Sequence, residues 1–175
     1  MDITATALVN YTPAQGSFYV VRHTDYQSLA STPYTLSVPT SAGNLSIPIL
    51  GGSLTLSRRD SKIHVTDYPV GDHKLIYSTA EIFTWKKFSD RTVLVVYGGE
   101  GETHELAIAD EVKWKSTGPP VQAKTVKKGA KKAFTVVQWK TSSERRIFKT
   151  GTLHIYILGW FPLTFNILKC LVANR

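Results

Sequence analysis

Residues 51–71 read GGSLTLSRRDSKIHVTDYPVG, and the way this stretch alternates decides the fold. Within Lys62–Tyr68, Ile63, Val65 and Asp67 point one way, and Lys62, His64, Thr66 and Tyr68 the other. A period of two is the signature of a strand with one buried face. Leu54–Ser57 has the same character, and Asp60 and Ser61 stand where the chain reverses, a usual place for both residue types. The stretch therefore reads as a β-hairpin with a crowded polar face. It does not read as a catalytic cluster, because alternation sends His64 and Asp67 to opposite sides of the sheet.

The same period extends outward in both directions. Alternating runs occupy Phe18–His23, Tyr34–Val38, Leu45–Leu50, Leu75–Phe88, Thr92–Tyr97, Thr103–Ile108, Val112–Lys115, Phe134–Trp139 and Ile147–Leu158. Most are rich in Val, Ile, Thr and aromatic residues, which pack well on a pleated surface. Between them stand turn formers such as Gly51-Gly52, Gly71-Asp72, Gly98-Gly99-Glu100-Gly101 and Gly118-Pro119-Pro120. Many short strands with regular turn signals predict an all-β fold of antiparallel strands, a sandwich or stacked hairpins. Gly118–Lys132 is expected to be a long loop. The sequence shows neither a helical stripe nor an internal repeat.

At 175 residues the chain suits one domain, or a domain with a subdomain. Of its net charge of +8, six positive charges come from Lys124, Lys127, Lys128, Lys131, Lys132 and Lys140, in a window without acids. Such a run could contact a polyanion, with Lys127, Lys128, Lys131 and Lys132 as the contacts. A solvated loop or lysine-protected edge strand accounts for it better, because no aromatics interleave the lysines to stack bases. Nucleic acid is therefore not expected as a partner. Cys170 is the single cysteine, so no internal disulfide forms. The first residues lack the basic and apolar regions of a signal peptide. Asn10 and Asn44 each open an Asn-x-Ser/Thr sequon, a candidate glycosylation site.

Motifs that would carry chemistry fail on inspection. His104-Glu105-Leu106-Ala107-Ile108 begins like a zinc-protease motif, but its fifth residue is Ile, and the motif needs a helix where alternation predicts a strand. Gly98, Gly99 and Gly101 have the wrong spacing for a nucleotide-binding loop. Glu100, Glu102 and Glu105 offer carboxylates for glycoside chemistry, but the sequence shows no cleft to hold a substrate between them. Gly51-Gly52-Ser53-Leu54-Thr55 lacks the last glycine of a nucleophile elbow. The five histidines show no ligand pairing. Trp85, Trp114 and Trp139 fall in expected strands; they could form a sugar-stacking platform, but buried aromatics dominate β cores, so core burial is the default reading. No catalytic residue, cofactor or metal site is expected.

Five long stretches carry a resemblance: SFYVVRHTDY (17–26), YTLSVPTSAGNLSIPILGG (34–52), RRDSKIHVTDYPVG (58–71), IYSTAEIFTWKKF (76–88) and VLVVYGGEGETHELAIA (93–109). In this order they resemble the second domain of fungal β-galactosidases of glycoside hydrolase family 35. The resemblance runs from about Ile3 to Leu158. It implies N-terminal hairpins over about residues 1–75, running into an immunoglobulin-like β-sandwich over about 76–158. In that family two glutamates hydrolyse terminal β-galactosides, and both lie in a TIM barrel preceding this module. No glutamate of this chain matches those motifs, so none is carried over. The resemblance implies a non-catalytic structural domain, packed on the barrel and on later β-sandwich domains of a secreted parent enzyme.

After GTLHIYIL (151–158) the family pattern is lost, and residues 159–175 form an atypical apolar tail, GWFPLTFNILKCLVANR. Pro162, Asn166 and Lys169 interrupt it, and it falls short of the roughly 20 apolar residues a membrane helix needs. The chain is accordingly expected to be a fragment lacking the barrel. Its uncovered apolar surface and the tail from Trp160 are expected to promote association. The alternatives are a carbohydrate-binding module, which needs exposed aromatics lining a cleft or one sheet face, and a polyanion-binding module using the lysine run.

Overall fold

The computed structural model describes residues 3–8, 16–109, 113–128 and 132–159. Among these the strands follow in order as β1 (Ile3–Leu8), β2 (Ser17–His23), β3 (Thr32–Tyr34), β4 (Leu36–Val38), β5 (Leu45–Ile47) and β6 (Leu54–Leu56). Next come β7 (Ser61–Val70), β8 (His73–Ser78), β9 (Glu81–Lys87), β10 (Thr92–Tyr97) and β11 (Thr103–Ala109). The last are β12 (Trp114–Thr117), β13 (Gln122–Lys128), β14 (Lys132–Lys140), β15 (Arg146–Thr150) and β16 (Leu153–Leu158). No helix occurs among the described residues, so none is long and apolar enough to cross a membrane. The all-β reading holds.

Two large sheets organise these strands. A seven-stranded sheet has the order β1-β2-β7-β8-β11-β14-β13, and a five-stranded sheet the order β12-β15-β16-β10-β9. Leu75, Leu106, Ile108, Val137 and Trp139 of the first meet Leu94, Val96, Phe148, Leu153, Ile155 and Ile157 of the second in one core. The opposite face of the seven-stranded sheet is covered as well. There Tyr19, Tyr77, Ala107, Phe134 and Val136 pack with Val38, Leu45 and Ile47 from the β4–β5 ribbon. The central strands are thus buried on both sides, and β11 runs buried without a break from His104 to Ile108. A single buried face, expected from alternation, describes β2 near the rim of this sheet and β10, β15 and β16 within the five-stranded sheet.

Several pairings differ from the sequence reading. The expected hairpin between Leu54–Ser57 and Lys62–Tyr68 does not form: β6 pairs with β3, and β7 pairs with β2 and β8. The chain does turn at Ser57–Asp60, where the Asp60 N–H donates to the Ser57 carbonyl at 3.2 Å. It turns, however, from the covering layer into the sheet. The expected loop Gly118–Lys132 contains β13, an edge strand held by seven register pairs with β14. Val121 and Ala123 pack on one core and Val126 on the other, and this explains why the lysine-rich segment is ordered as a strand. One pair, β10 with β16, is parallel. Residue 75, where the expected hairpin region ends, lies inside β8, and the seven-stranded sheet takes strands from both sides of it. The apolar tail, apart from Gly159, lies outside the described residues.

Candidate functional site

The polar residues singled out in the sequence assemble into two buried constellations. The first sits where the ends of β7, β8 and β11 meet. The Lys62 ammonium lies 2.8 Å from Asp60 and 2.9 Å from Glu102, and His104 Nε2 lies 3.1 Å from the other Glu102 oxygen. The Gly99 N–H also donates to Glu102, at 2.7 Å. Burial by itself raises the Glu102 carboxyl, but the hydrogen bonds from His104 and Lys62 outweigh it and hold the group down at about 2. Burial likewise acts to lower the Lys62 ammonium. Its hydrogen bonds to Asp60 and Glu102 reverse that effect and raise it above the ordinary range.

Two imidazoles share one carbonyl at the same place. His64 Nδ1 lies 2.9 Å, and His104 Nδ1 3.2 Å, from the Thr79 carbonyl oxygen. A carbonyl only accepts, so His64 carries its proton on Nδ1. Its bare Nε2 then accepts from the Tyr34 hydroxyl at 2.7 Å. Burial, reinforced by the nearby His104, lowers His64 to about 4 and keeps the ring neutral at pH 7. Burial also raises the Tyr34 phenol, which stays a donor. Lys62, His64, Glu102 and His104 are buried and engaged by protein partners, while Asp60 and Tyr34 are half-buried.

The second constellation is Glu105, fully buried on the opposite face of β11. One oxygen accepts from the Leu50 N–H (2.7 Å) and the Gln138 amide (3.0 Å). The other accepts from the Ile49 N–H (2.6 Å) and the Tyr77 hydroxyl (2.7 Å). This clamp fastens the loop after β5 onto the sheet. Glu102, just before β11, and Glu105, within it, stand three residues apart and share no partner, so they do not form the facing pair that glycoside cleavage needs. Glu100 stands exposed in the turn before β11.

Asp67 departs from its expected orientation. It has φ = 51°, and the β7–β8 ladder passes over the Asp67/Ile76 position. Its carboxylate accepts from the Ser41 N–H (2.7 Å) and hydroxyl and pairs with Lys74 at 3.0 Å. It therefore reaches the β4–β5 ribbon, on the same side as His64, and not the side that alternation assigned. The two still share no partner. No group of three or more His, Cys, Asp or Glu able to hold a metal occurs among the described residues.

The tryptophans also divide. Trp139 is a core residue at 4% exposure, but Trp85 and Trp114 are 37% and 39% exposed, contrary to the core reading. Both lie on the edge strands of the five-stranded sheet, β9 and β12, which have a neighbour on one side only. Trp114 stacks on Phe148 with ring centres 5.5 Å apart. Trp85 lines an open groove of about 430 Å³ between β9 and the β2–β7 part of the large sheet. Sequence reasoning missed this groove because strand periodicity does not tell an edge strand from a central one.

The lysine run divides between β13, with Lys124, Lys127 and Lys128, and β14, with Lys132 and Lys140. Lys127 is exposed, and Lys128 stands opposite Lys132 in the β13–β14 register. Lys131 lies outside the described residues, as does Asn10. Asn44 is exposed in the β4–β5 turn.

Comparison with known proteins adds the relationship. The family model described as "Beta-galactosidase, domain 2" matches residues 1–160. Beta-galactosidase A of Penicillium sp is 51% identical over 162 residues, covering 90% of this chain and 15% of that protein. Probable beta-galactosidase A of Neosartorya fischeri and Beta-galactosidase A of Aspergillus niger are each 52% identical over 159 residues, with the same coverage. This chain therefore spans about 15% of the length of these relatives. With a family model matched over most of its length, the chain belongs to the beta-galactosidase domain 2 family.

Proposed function

We propose that the chain is a non-catalytic structural domain of a β-galactosidase acting on terminal β-galactosides. The observation that carries this reading is the commitment of its buried acids. Glu102, just before β11, and Glu105, within it, belong to separate constellations with no shared partner, and each is engaged by protein donors. A retaining glycosidase needs two carboxyl groups facing each other across open space, about 5 Å apart. The acids here serve to fasten layers together. In the parent enzyme the domain packs beside a catalytic TIM barrel and later β-sandwich domains, and the parent is secreted. Asn44 and Asn10 are then candidate glycan acceptors. The strands after about residue 76 form the immunoglobulin-like part, joined to the hairpin region through the seven-stranded sheet.

Incubating the purified chain with a chromogenic β-galactoside tests the central point. No release above a heat-killed control is expected, and turnover abolished by Glu102→Gln or Glu105→Gln would overturn the reading. A polyanion role is tested by heparin retention. The structural reading expects none that depends on Lys124 and Lys127.

A further inference from the structure

We propose that the groove beside β9 is a binding site for a pyranoside of one or two rings. Its 430 Å³ falls within the range of about 300–1,000 Å³ usual for small-molecule sites. The floor is aromatic, with Phe18 set edge-on to Tyr68 at 6.0 Å between ring centres. One wall carries Phe83, edge-on to Tyr97 at 6.5 Å, and Trp85. Phe83 and Trp85 remain 43% and 37% exposed, so ring surface is open to a ligand. Pyranosides have C–H-rich ring faces that stack on such surfaces, and hydroxyl edges that need hydrogen-bond partners.

The partner for those edges is Glu81. Its carboxylate lies in the groove and accepts from the Ile63 N–H at 3.3 Å, and the residue stands opposite Tyr97 in the β9–β10 register. A carboxylate has about four acceptor sites, so capacity remains for sugar hydroxyls. This charge selects among occupants. A purely apolar ligand would cover its remaining acceptor sites without supplying a donor, at a substantial desolvation cost. A phosphate-bearing ligand would be repelled. A neutral ligand with apolar faces and several O–H donors satisfies both the rings and the carboxylate. The site is independent of catalysis and adds a recognition role to the structural one.

The test is titration of the full chain with lactose and with cellobiose, read by ligand-observed saturation-transfer NMR, which does not rely on Trp85 as reporter. We expect saturable binding of at least one of them, with a dissociation constant on the order of 1 mM. Glu81→Gln and Trp85→Phe should each weaken it by about tenfold. Trp114→Ala should leave it unchanged, because that ring lies outside the groove. Far-UV circular dichroism verifies the fold of each variant, and the two conservative changes keep the result readable if a harsher one unfolds. Absence of saturation with both sugars overturns the proposal, as does binding indifferent to both groove substitutions. Sugar silence combined with self-association relieved by Phe83→Ser assigns the groove to polypeptide contact and also overturns it.

Discussion

Replacing Glu105 by glutamine keeps the shape of the side chain and removes its charge, so it isolates the clamp. Each carboxylate oxygen receives one backbone N–H, from Ile49 or from Leu50. Whichever way the new amide is placed, its NH2 faces one of these donors. On the Ile49 side the Tyr77 hydroxyl can turn to accept, but the backbone N–H cannot. One buried donor is left unsatisfied and the remaining bonds lose their charge assistance, a loss of about 2–3 kcal/mol. In urea the midpoint should fall by about 1 M with an unchanged slope. Glu105→Ala strands all four donors and should cost about 4–5 kcal/mol, a large part of the stability of a typical domain.

Destabilisation by itself would not prove the clamp; its location would. Amide hydrogen exchange in Glu105→Gln should accelerate first at Ile49 and Leu50, ahead of the β11–β14 ladder. Glu100→Gln, an exposed turn position, serves as control and should stay within about 0.5 kcal/mol of the native chain. A Glu105→Gln midpoint within about 0.2 M of native, with both loop amides still protected, would refute the reasoning.

Other expectations follow from the first constellation. Unfolded His64 takes up a proton below its ordinary value of 6.5, whereas the folded ring resists until about 4. Its contribution is therefore complete above pH 6.5 and lost as pH falls, by about 2 kcal/mol between pH 7 and pH 5. His64→Gln should flatten the urea midpoint against pH in that window. Glu102 acts in a lower window: its contribution is present above 4.5 and lost as pH falls toward 2, so acid unfolding of Glu102→Gln should lose its steepest part. Lys62→Met removes the cation between two carboxylates and should lower stability by about 3 kcal/mol, measured by denaturant midpoint. A Cβ at Gly98 would stand 2.0 Å from His104 Nε2, so Gly98→Ala should displace that ring and cost about 1–3 kcal/mol, with a shifted His104 ring resonance as the local marker.

Strand positions were largely legible because alternation is a local signal. Partner choice was not, because pairing depends on residues far apart in sequence. Nothing near Leu54 and Leu56 says that they join β3 and leave Lys62–Tyr68 to β2 and β8. Double-sided burial left a fainter trace. In β11, Ala107 and Ala109 continue an apolar character on the face that carries Glu105, where a solvated face would show polar residues. The polar constellations were invisible for the same reason as the pairings. Lys62 and Glu102 approach across the sheet, so their sequence neighbours gave only the appearance of a solvated face. Asp67 defeated the alternation rule through a left-handed φ, a conformation Asp tolerates better than most residues.

The exposed aromatics on β9 raise a physical question that bears on the groove. An edge strand with open rings invites pairing with another chain. Here the backbone edge is blunted. The register with β10 slips between Val95 and Val96, and Lys86 and Lys87 close the strand. Lys87 is further tied to Asp72 at 2.7 Å. Bulges and lysines are the devices by which sheets discourage strand addition. Their effect falls on the edge and leaves Trp85 partly exposed in the groove. A device that blocks the edge yet keeps rings and Glu81 accessible in the groove fits a ligand seated between β9 and the large sheet. A partner seeking main-chain pairing would meet the slipped register and two cations. If β9 instead recruited an extended peptide, main-chain amides of Phe83–Lys87 would gain exchange protection, and the distinction between face and edge would fail.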